Sequence, residues 1–196
     1  MASNTPIGIV LAAGSGKRFD PVGVQNKLTA RLGSGGSVAA QSVKNVRAVL
    51  TDVIVVVRSM QLVDQLSSSG CTVLFFSDAD QGMGASLAFA TSYLVTHHPD
   101  TVSVLVALAD MPFIKTSTIS EIVFRLNTGA DIVQPIYQSQ PGHPVGFSKR
   151  HFPALMSLTG DTGARHLLQQ FSVAQVDVDD PGIIRDIDYL SDLQGL

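Results

Sequence analysis

Apolar residues along this chain fall in short runs, separated by stretches whose polar and apolar positions follow a helical period. Residues 7–12, 53–57, 72–76, 102–108 and 132–136 are nearly continuous apolar runs rich in Val, Ile and Leu. Runs of that length and composition predict strands buried on both faces. Between them, residues 37–50 place Val38, Val43, Val46, Val49 and Leu50 at helical spacing, with Ser37 a fitting N-cap. Leu62, Val63 and Leu66 predict a short helix ended by Gly70, and residues 85–95 and 118–126 carry the same period. Strand and helix in alternation predict an α/β fold. The expected form is a three-layer, Rossmann-like, mostly parallel sheet with right-handed crossovers and helices on both faces. In such sheets ligands bind beyond the carboxyl ends of the strands. No repeat or linker divides residues 1–196, so a single domain is expected.

Composition narrows the class. Hydrophobic residues make up 45% of the chain and charged residues 15%, which predicts a globular protein rather than a disordered one. The net charge of -3 argues against a broad nucleic-acid surface but permits a local cationic pocket. The lone Cys71 excludes an intrachain disulfide and a cysteine-built zinc site. No charged-then-apolar leader opens the chain, and no apolar run approaches the ~20 residues of a membrane span. A cytoplasmic protein with no membrane partner is expected.

The first predicted strand runs into Gly14-Ser15-Gly16, with Lys17, Arg18 and Lys27 close behind. A buried strand entering a small-residue turn beside cations is suited to phosphate, because backbone N–H groups can close on the anion without a Cβ in the way. The Walker pattern fails here, since Leu11 stands where its first glycine belongs and Arg18 replaces the hydroxyl. The dinucleotide fingerprint fails at Phe19, its third glycine position. The second strand ends in Arg58 rather than an acid, which leaves a 2′-phosphorylated dinucleotide open.

Further along, Asp110 directly follows an apolar strand, where it needs a partner; a divalent cation bridging to phosphate is one, and a turn before Met111-Pro112 is the other reading. Gln81-Gly82-Met83-Gly84-Ala85-Ser86 combines two glycines with a serine able to cap the next helix, and its backbone is expected against a base or ribose. Pro141-Gly142-His143-Pro144-Val145 is a stiff segment that fixes one imidazole. In Gly160-Asp161-Thr162-Gly163-Ala164-Arg165, Asp161 reads as an N-cap and Arg165 as a cation for an anionic acceptor. Arg185-Asp186-Ile187-Asp188 alternates, so both carboxylates would share one face of a short strand, either joining Asp110 on a cation or standing in solvent.

Taken in order, Leu11-Ala-Ala-Gly-Ser-Gly-Lys-Arg18, Lys27, Gly82 to Leu87, Leu108 to Pro112, Gly142 to Val145, Gly160 to Arg165 and Asp186-Ile-Asp188 resemble the motifs of molybdenum cofactor cytidylyltransferases. These belong to the NTP-transferase superfamily, with its nucleotide-diphospho-sugar transferase fold. The likeness runs from about residue 7 to 193, and Gly-His-Pro-Val with Gly-Asp-x-Gly-Ala-Arg is its most specific part. The resemblance implies that Leu11, Ala12, Ala13, Gly14, Ser15, Gly16 and Arg18 hold the triphosphate of CTP, with Lys27 at the α-phosphate. It implies that Gly82, Met83, Gly84 and Ser86 lie near the nucleoside, that Asp110 with Asp186 or Asp188 binds Mg²⁺, and that His143 and Arg165 face the acceptor. Guanylyl-transferring relatives carry Gly where Ala13 stands, which points to the smaller pyrimidine. Tyr189-Leu190-Ser191 stands where the family has Thr-Pro-Glu, which leaves the acceptor open between molybdopterin and another phosphorylated molecule. A molybdoenzyme that receives the product is the partner implied. The alternatives are guanylyl or other nucleotidyl transfer, an NADPH-dependent reductase on the same scaffold, and a non-catalytic nucleotide-binding protein.

Overall fold

The computed structural model describes residues 5–13, 19, 26–33, 35–78, 81–161 and 163–193. Its strands are β1 (Ile7–Ala12), β2 (Val53–Val57), β3 (Thr72–Phe75), β4 (Ser103–Leu108), β5 (Ile132–Tyr137), β6 (Gln140–Pro141), β7 (Val145–Ser148) and β8 (Ala174–Asp177). Its helices are α1 (Val38–Arg47), α2 (Met60–Leu66), α3 (Met83–His97), α4 (Thr116–Asn127), α5 (Phe152–Met156) and α6 (Arg165–Gln170). One sheet of eight strands runs β3-β2-β1-β4-β7-β5-β6, with β8 paired to β5. At its centre β1 lies parallel between β2 and β4, with Val10 opposite both Val55 and Ala107.

The apolar runs are continuous because alternate residues enter two different cores. On one face, Val10, Val55, Leu105 and Ala107 pack with Val43 and Val46 of α1 and Ile119 and Ile122 of α4. On the other, Ile9, Leu11, Val56 and Val106 pack with Leu87, Ala90 and Leu94 of α3 and Phe152 and Leu155 of α5. This is the mostly parallel α/β architecture the alternation predicts. Helix α1 begins as its spacing requires, with the Ser37 hydroxyl accepting the Ala40 N–H at 3.2 Å. Among the described residues no helix is long and apolar enough to cross a membrane.

The strict alternation of strand and helix breaks after β5. Strand β7 lies antiparallel between β4 and β5, and β6 pairs antiparallel with the far end of β5. The segment read as merely stiff is therefore one strand interrupted in its ladder. From the pair Ile136–Pro141 to the pair Val133–Gly146, β5 advances three residues while its partner advances five, so two residues bulge out. Gly142, whose N–H still bonds the Pro135 carbonyl, leads into the bulge at His143 and Pro144, and the Gln134 side-chain amide bonds the Gly142 carbonyl at 3.2 Å.

Beyond β8, the chain returns beneath the sheet's carboxyl edge in a tightly fitted path. The buried carboxylate of Asp180 accepts the Thr118 hydroxyl at 2.6 Å, the Lys115 N–H at 2.8 Å and the Gly182 N–H at 3.0 Å. It thereby ties the start of α4 to the 3₁₀ turn Pro181–Ile184. Glycine is required along this path by contact: a Cβ on Gly182 would stand 2.3 Å from the Phe113 carbonyl oxygen, and one on Gly142 would stand 2.2 Å from that of Ile183. Replacing Asp180 with Ala strands three donors in a site that is 1% exposed. We expect Asp180→Ala to cost about 3 kcal/mol of stability, measured as the shift of the urea unfolding midpoint.

Candidate active site

The site is built where three segments meet at the carboxyl ends of β1 and β4. The first is a 3₁₀ turn, Lys27–Thr29, opened by Asn26, whose side-chain oxygen accepts the Leu28 N–H at 3.0 Å. Leu28 is anchored in the core, so the backbone that carries Lys27 is fixed. The second is the turn after β4, where the Ala109 N–H bonds the Leu11 carbonyl at 3.0 Å and Asp110 emerges half-buried. Helix α1 holds this turn from below: Ser42 donates to the Ala109 carbonyl at 2.8 Å, and Asn45 to the carbonyls of Pro112 and Ile114 at 2.9 and 3.0 Å. The third segment carries Asp186 and Asp188. It is anchored by the Ile187 N–H on the Asp110 carbonyl at 2.9 Å and by a fully buried Ile187 side chain.

These segments bring four charges together. The Lys27 ammonium lies 2.7 Å from Asp110 Oδ2 and 3.0 Å from Asp188 Oδ1, with the lysine side chain only 8% exposed. Burial alone would lower the Lys27 pKa, but Asp110 and then Asp188 outweigh it and hold the pKa above its ordinary value. Asp110, Asp186 and Asp188 each offer an oxygen within 4.8 Å of the others. These oxygens are near enough that side-chain rotation could bring them onto one small divalent ion. The donor set is all hard carboxylate oxygen, and a cation, the Lys27 ammonium, already stands among it. Three carboxylates against one ammonium leave a formal excess of two negative charges. The cluster suits a divalent cation of the Mg²⁺ or Mn²⁺ type. Residues 185–188 are not the strand expected from their alternation. Their spacing still puts the two carboxylates at the cluster and Ile187 into the core.

Beside the cluster, on the α3 face of the sheet, lies a cavity of about 670 Å³. Leu11, Leu87, Val106, Leu108, Val145 and Phe147 give it apolar walls, and Met83, Gln134, His143, Asp161, Arg165 and Gln169 complete it. His143 reaches the cavity from the bulge, with its backbone N–H on the Ile183 carbonyl at 3.0 Å. Its buried Nδ1 has no hydrogen-bond partner among the described residues. Burial lowers the His143 pKa against the opposing pull of Asp110 and the Val106 carbonyl, so the ring is neutral at neutral pH. Leu108, on the cavity wall, precedes Asp110 by two residues, which sets cavity and cluster side by side.

Other expected positions are placed differently. Ser86 does not cap α3: Gly82 is the N-cap, at φ 101°, and Ser86 is buried one turn inside with its hydroxyl on the Gly82 carbonyl at 3.2 Å. Gly82 and Gly84 are glycines because residues 159–161 press on them. A Cβ on Gly82 would stand 2.4 Å from the Gly160 carbonyl carbon, and the Gly84 N–H bonds the Gly160 carbonyl at 2.7 Å. On that side they meet the protein's own chain rather than open space for a base. Asp161 does not cap α6, whose N-cap is Ala164. Ala12 is fully buried in the α1-side core, which leaves only its backbone for a ligand, and Ala13 is at the core's margin. Gly14, Ser15, Gly16, Lys17 and Arg18 lie outside the described residues.

Sequence reasoning missed Ser42, Asn45 and Asp192. Ser42 interrupts the apolar stripe of α1, a legible sign of a polar task inside. Asp192 accepts the N–H groups of Asp188 and Tyr189 at 2.9 and 2.7 Å, which fixes the turn behind the Asp188 carboxylate. No periodicity marks it.

Asp186 yields a test of the cluster's charge. Burial first, then repulsion from Asp188 and Asp110, raises its pKa above the ordinary carboxylate value. The folded state therefore holds its proton to higher pH than the unfolded chain does. The associated stability is complete below the unfolded pKa and is lost as pH rises through the folded one. We expect Asp186→Asn to stabilise the metal-free protein at pH 7 by less than about 1 kcal/mol for so exposed a group, read as a rise in melting temperature. The gain should vanish near pH 3 and shrink when Mg²⁺ or Mn²⁺ is added.

The sequence matches the family model of the MobA-like NTP transferase domain over residues 8–176. No curated protein matches it significantly. Among solved structures the fold is similar to Rv0371c of Mycobacterium tuberculosis H37Rv, with a TM-score of 0.82 and 24% identity over 97% of this chain and 96% of that one. The same protein in complex with manganese gives 0.76 and 23% over 96% and 95%. A nucleotidyl transferase from Methanothermobacter thermautotroptrophicus gives 0.78 and 22% over 97% and 94%. Molybdopterin-guanine dinucleotide biosynthesis protein A from Archaeoglobus fulgidus gives 0.67 and 19% over 95% and 94%. At such identities these structures establish the fold, and the family model carries the assignment further: the chain belongs to the MobA-like NTP transferase family of nucleotidyltransferases.

Proposed function

We propose that this protein transfers CMP from CTP to a phosphorylated acceptor, molybdopterin being the first candidate, and releases pyrophosphate. The observation that carries the reading is a lysine ammonium and three carboxylates at the strand ends, beside an apolar cavity with Arg165 and His143 on its walls. Mg²⁺ is the cofactor, held by Asp110 with Asp186 and Asp188, a reading the manganese complex of Rv0371c supports; the name of the Archaeoglobus fulgidus relative supports molybdopterin as acceptor. Ala13, at the entry to the loop that carries Gly14, Ser15, Gly16 and Arg18, favours the smaller pyrimidine. The setting is the cytoplasm, and a molybdoenzyme is the candidate recipient of the product.

In this reaction an acceptor phosphate oxygen attacks the α-phosphorus of CTP. A new P–O bond forms as the α–β anhydride bond breaks, and pyrophosphate leaves with the bonding electrons. Because the attacking oxygen is already anionic, no general base is needed, and none is assigned to His143. The work is alignment and neutralisation of charge. Bound at the cluster, the metal would supply Lewis-acid polarisation of the phosphate. Lys27 would turn its ammonium from Asp110 to the α-phosphate, and Arg18 would hold the outer phosphates. Arg165 would take an acceptor anion at the cavity mouth, while the neutral His143 ring offers one hydrogen bond to its uncharged part.

Pyrophosphate release with CTP, GTP, ATP and UTP, each with Mg²⁺ and molybdopterin, tests the reading. CTP is expected to be used best, and pyrophosphate release with none of the four would end the proposal. Lys27→Ala and Asp110→Ala should each lower turnover by roughly a hundred- to a thousandfold while the chain stays folded. Arg165→Ala should raise KM for the acceptor and leave KM for CTP nearly unchanged.

A further inference from the structure

We infer that Lys27 is an internal competitor for the carboxylate cluster, so that a divalent ion enters only together with the nucleotide phosphates that draw the ammonium away. The inference rests on the reading of Asp110, Asp186 and Asp188 as metal ligands.

The ammonium touches two of the three candidate ligands, Asp110 at 2.7 Å and Asp188 at 3.0 Å. Within such a span, a divalent ion on the same oxygens would sit only a few ångströms from a positive charge whose own side chain is only 8% exposed. Repulsion between cations so placed changes a binding constant by at least an order of magnitude. The lysine also cannot withdraw by moving its backbone. Asn26 caps the turn, Leu28 is 2% exposed in the core, and the Thr29 hydroxyl bonds the Asn26 carbonyl at 3.0 Å. Only the side chain can swing, and it leaves two carboxylates only if another anion replaces them. A triphosphate is such an anion. Metal and nucleotide would thus be linked through one side chain, each making room for the other.

Titration of Mn²⁺ into the full chain, followed by the loss of the free-ion paramagnetic resonance signal, tests this without any turnover. Lys27→Met, which keeps the bulk and removes the charge, should bind Mn²⁺ alone at least about tenfold more tightly than the unmodified protein. In the unmodified protein, α,β-methylene-CTP should tighten Mn²⁺ binding by a similar factor. Equal affinity in the two proteins, with Asp110→Asn weakening both, would overturn the competition and leave the metal reading standing. Mn²⁺ binding that ignores Asp110→Asn, with or without the analogue, would remove both. The unmodified protein supplies a check independent of how Lys27→Met folds. Crystallised with Mg²⁺ and the analogue, it should show the ammonium beyond 4 Å of both carboxylates. An ammonium still bonded to Asp110 and Asp188 beside a bound ion would sink the inference.

Discussion

A lysine ammonium can stay in a site this closed only because two carboxylates share it, and the chain brings those carboxylates from 83 and 161 residues away. Removing both would leave a charge stranded in a poorly solvated place. The sheet, the Lys27–Thr29 turn and the return of the chain under the strand ends therefore have to be formed together. Asp180, the glycines at 142 and 182 and the Ile187–Asp110 backbone bond are the parts that hold that return in register. They touch no substrate, yet the cluster exists only because they fit.

Most of the architecture was legible in the apolar runs, because strands that feed two cores must be apolar at nearly every position. The runs at 7–12 and 53–57 coincide with β1 and β2, and those at 102–108 and 132–136 lie within a residue of β4 and β5. Lys27, Asp110, Asp186 and Asp188 were legible as well, since a charge at the end of a buried strand or beside a buried Ile needs a reason. What escaped was whatever depends on long-range packing. A strand interrupted after two residues carries too short a pattern to announce β6 and β7, and antiparallel insertion leaves no mark on periodicity.

Local rules also misled where tertiary contacts took precedence. Ser86 and Asp161 are good caps by composition, but the start of α3 is covered by residues 159–161 and needs no side-chain cap there. The same contact explains why two glycines stand at that helix start, a pattern that composition alone assigns to ligand or to turn. Asp192 shows the converse: an unremarkable acid near the end of the described chain whose carboxylate gathers two backbone donors behind Asp188.

The bulge between β6 and β7 has a consequence for how the cavity discriminates among its occupants. Among the described residues its backbone donors are all spent, the Gly142 N–H on the Pro135 carbonyl at 3.0 Å and the His143 N–H on the Ile183 carbonyl at 3.0 Å, while Pro144 has none to give. Recognition along that wall is therefore delegated to a single imidazole rather than to main-chain amides. Preference at this wall can then drift by exchange of one side chain, with the ladder that supports it left intact.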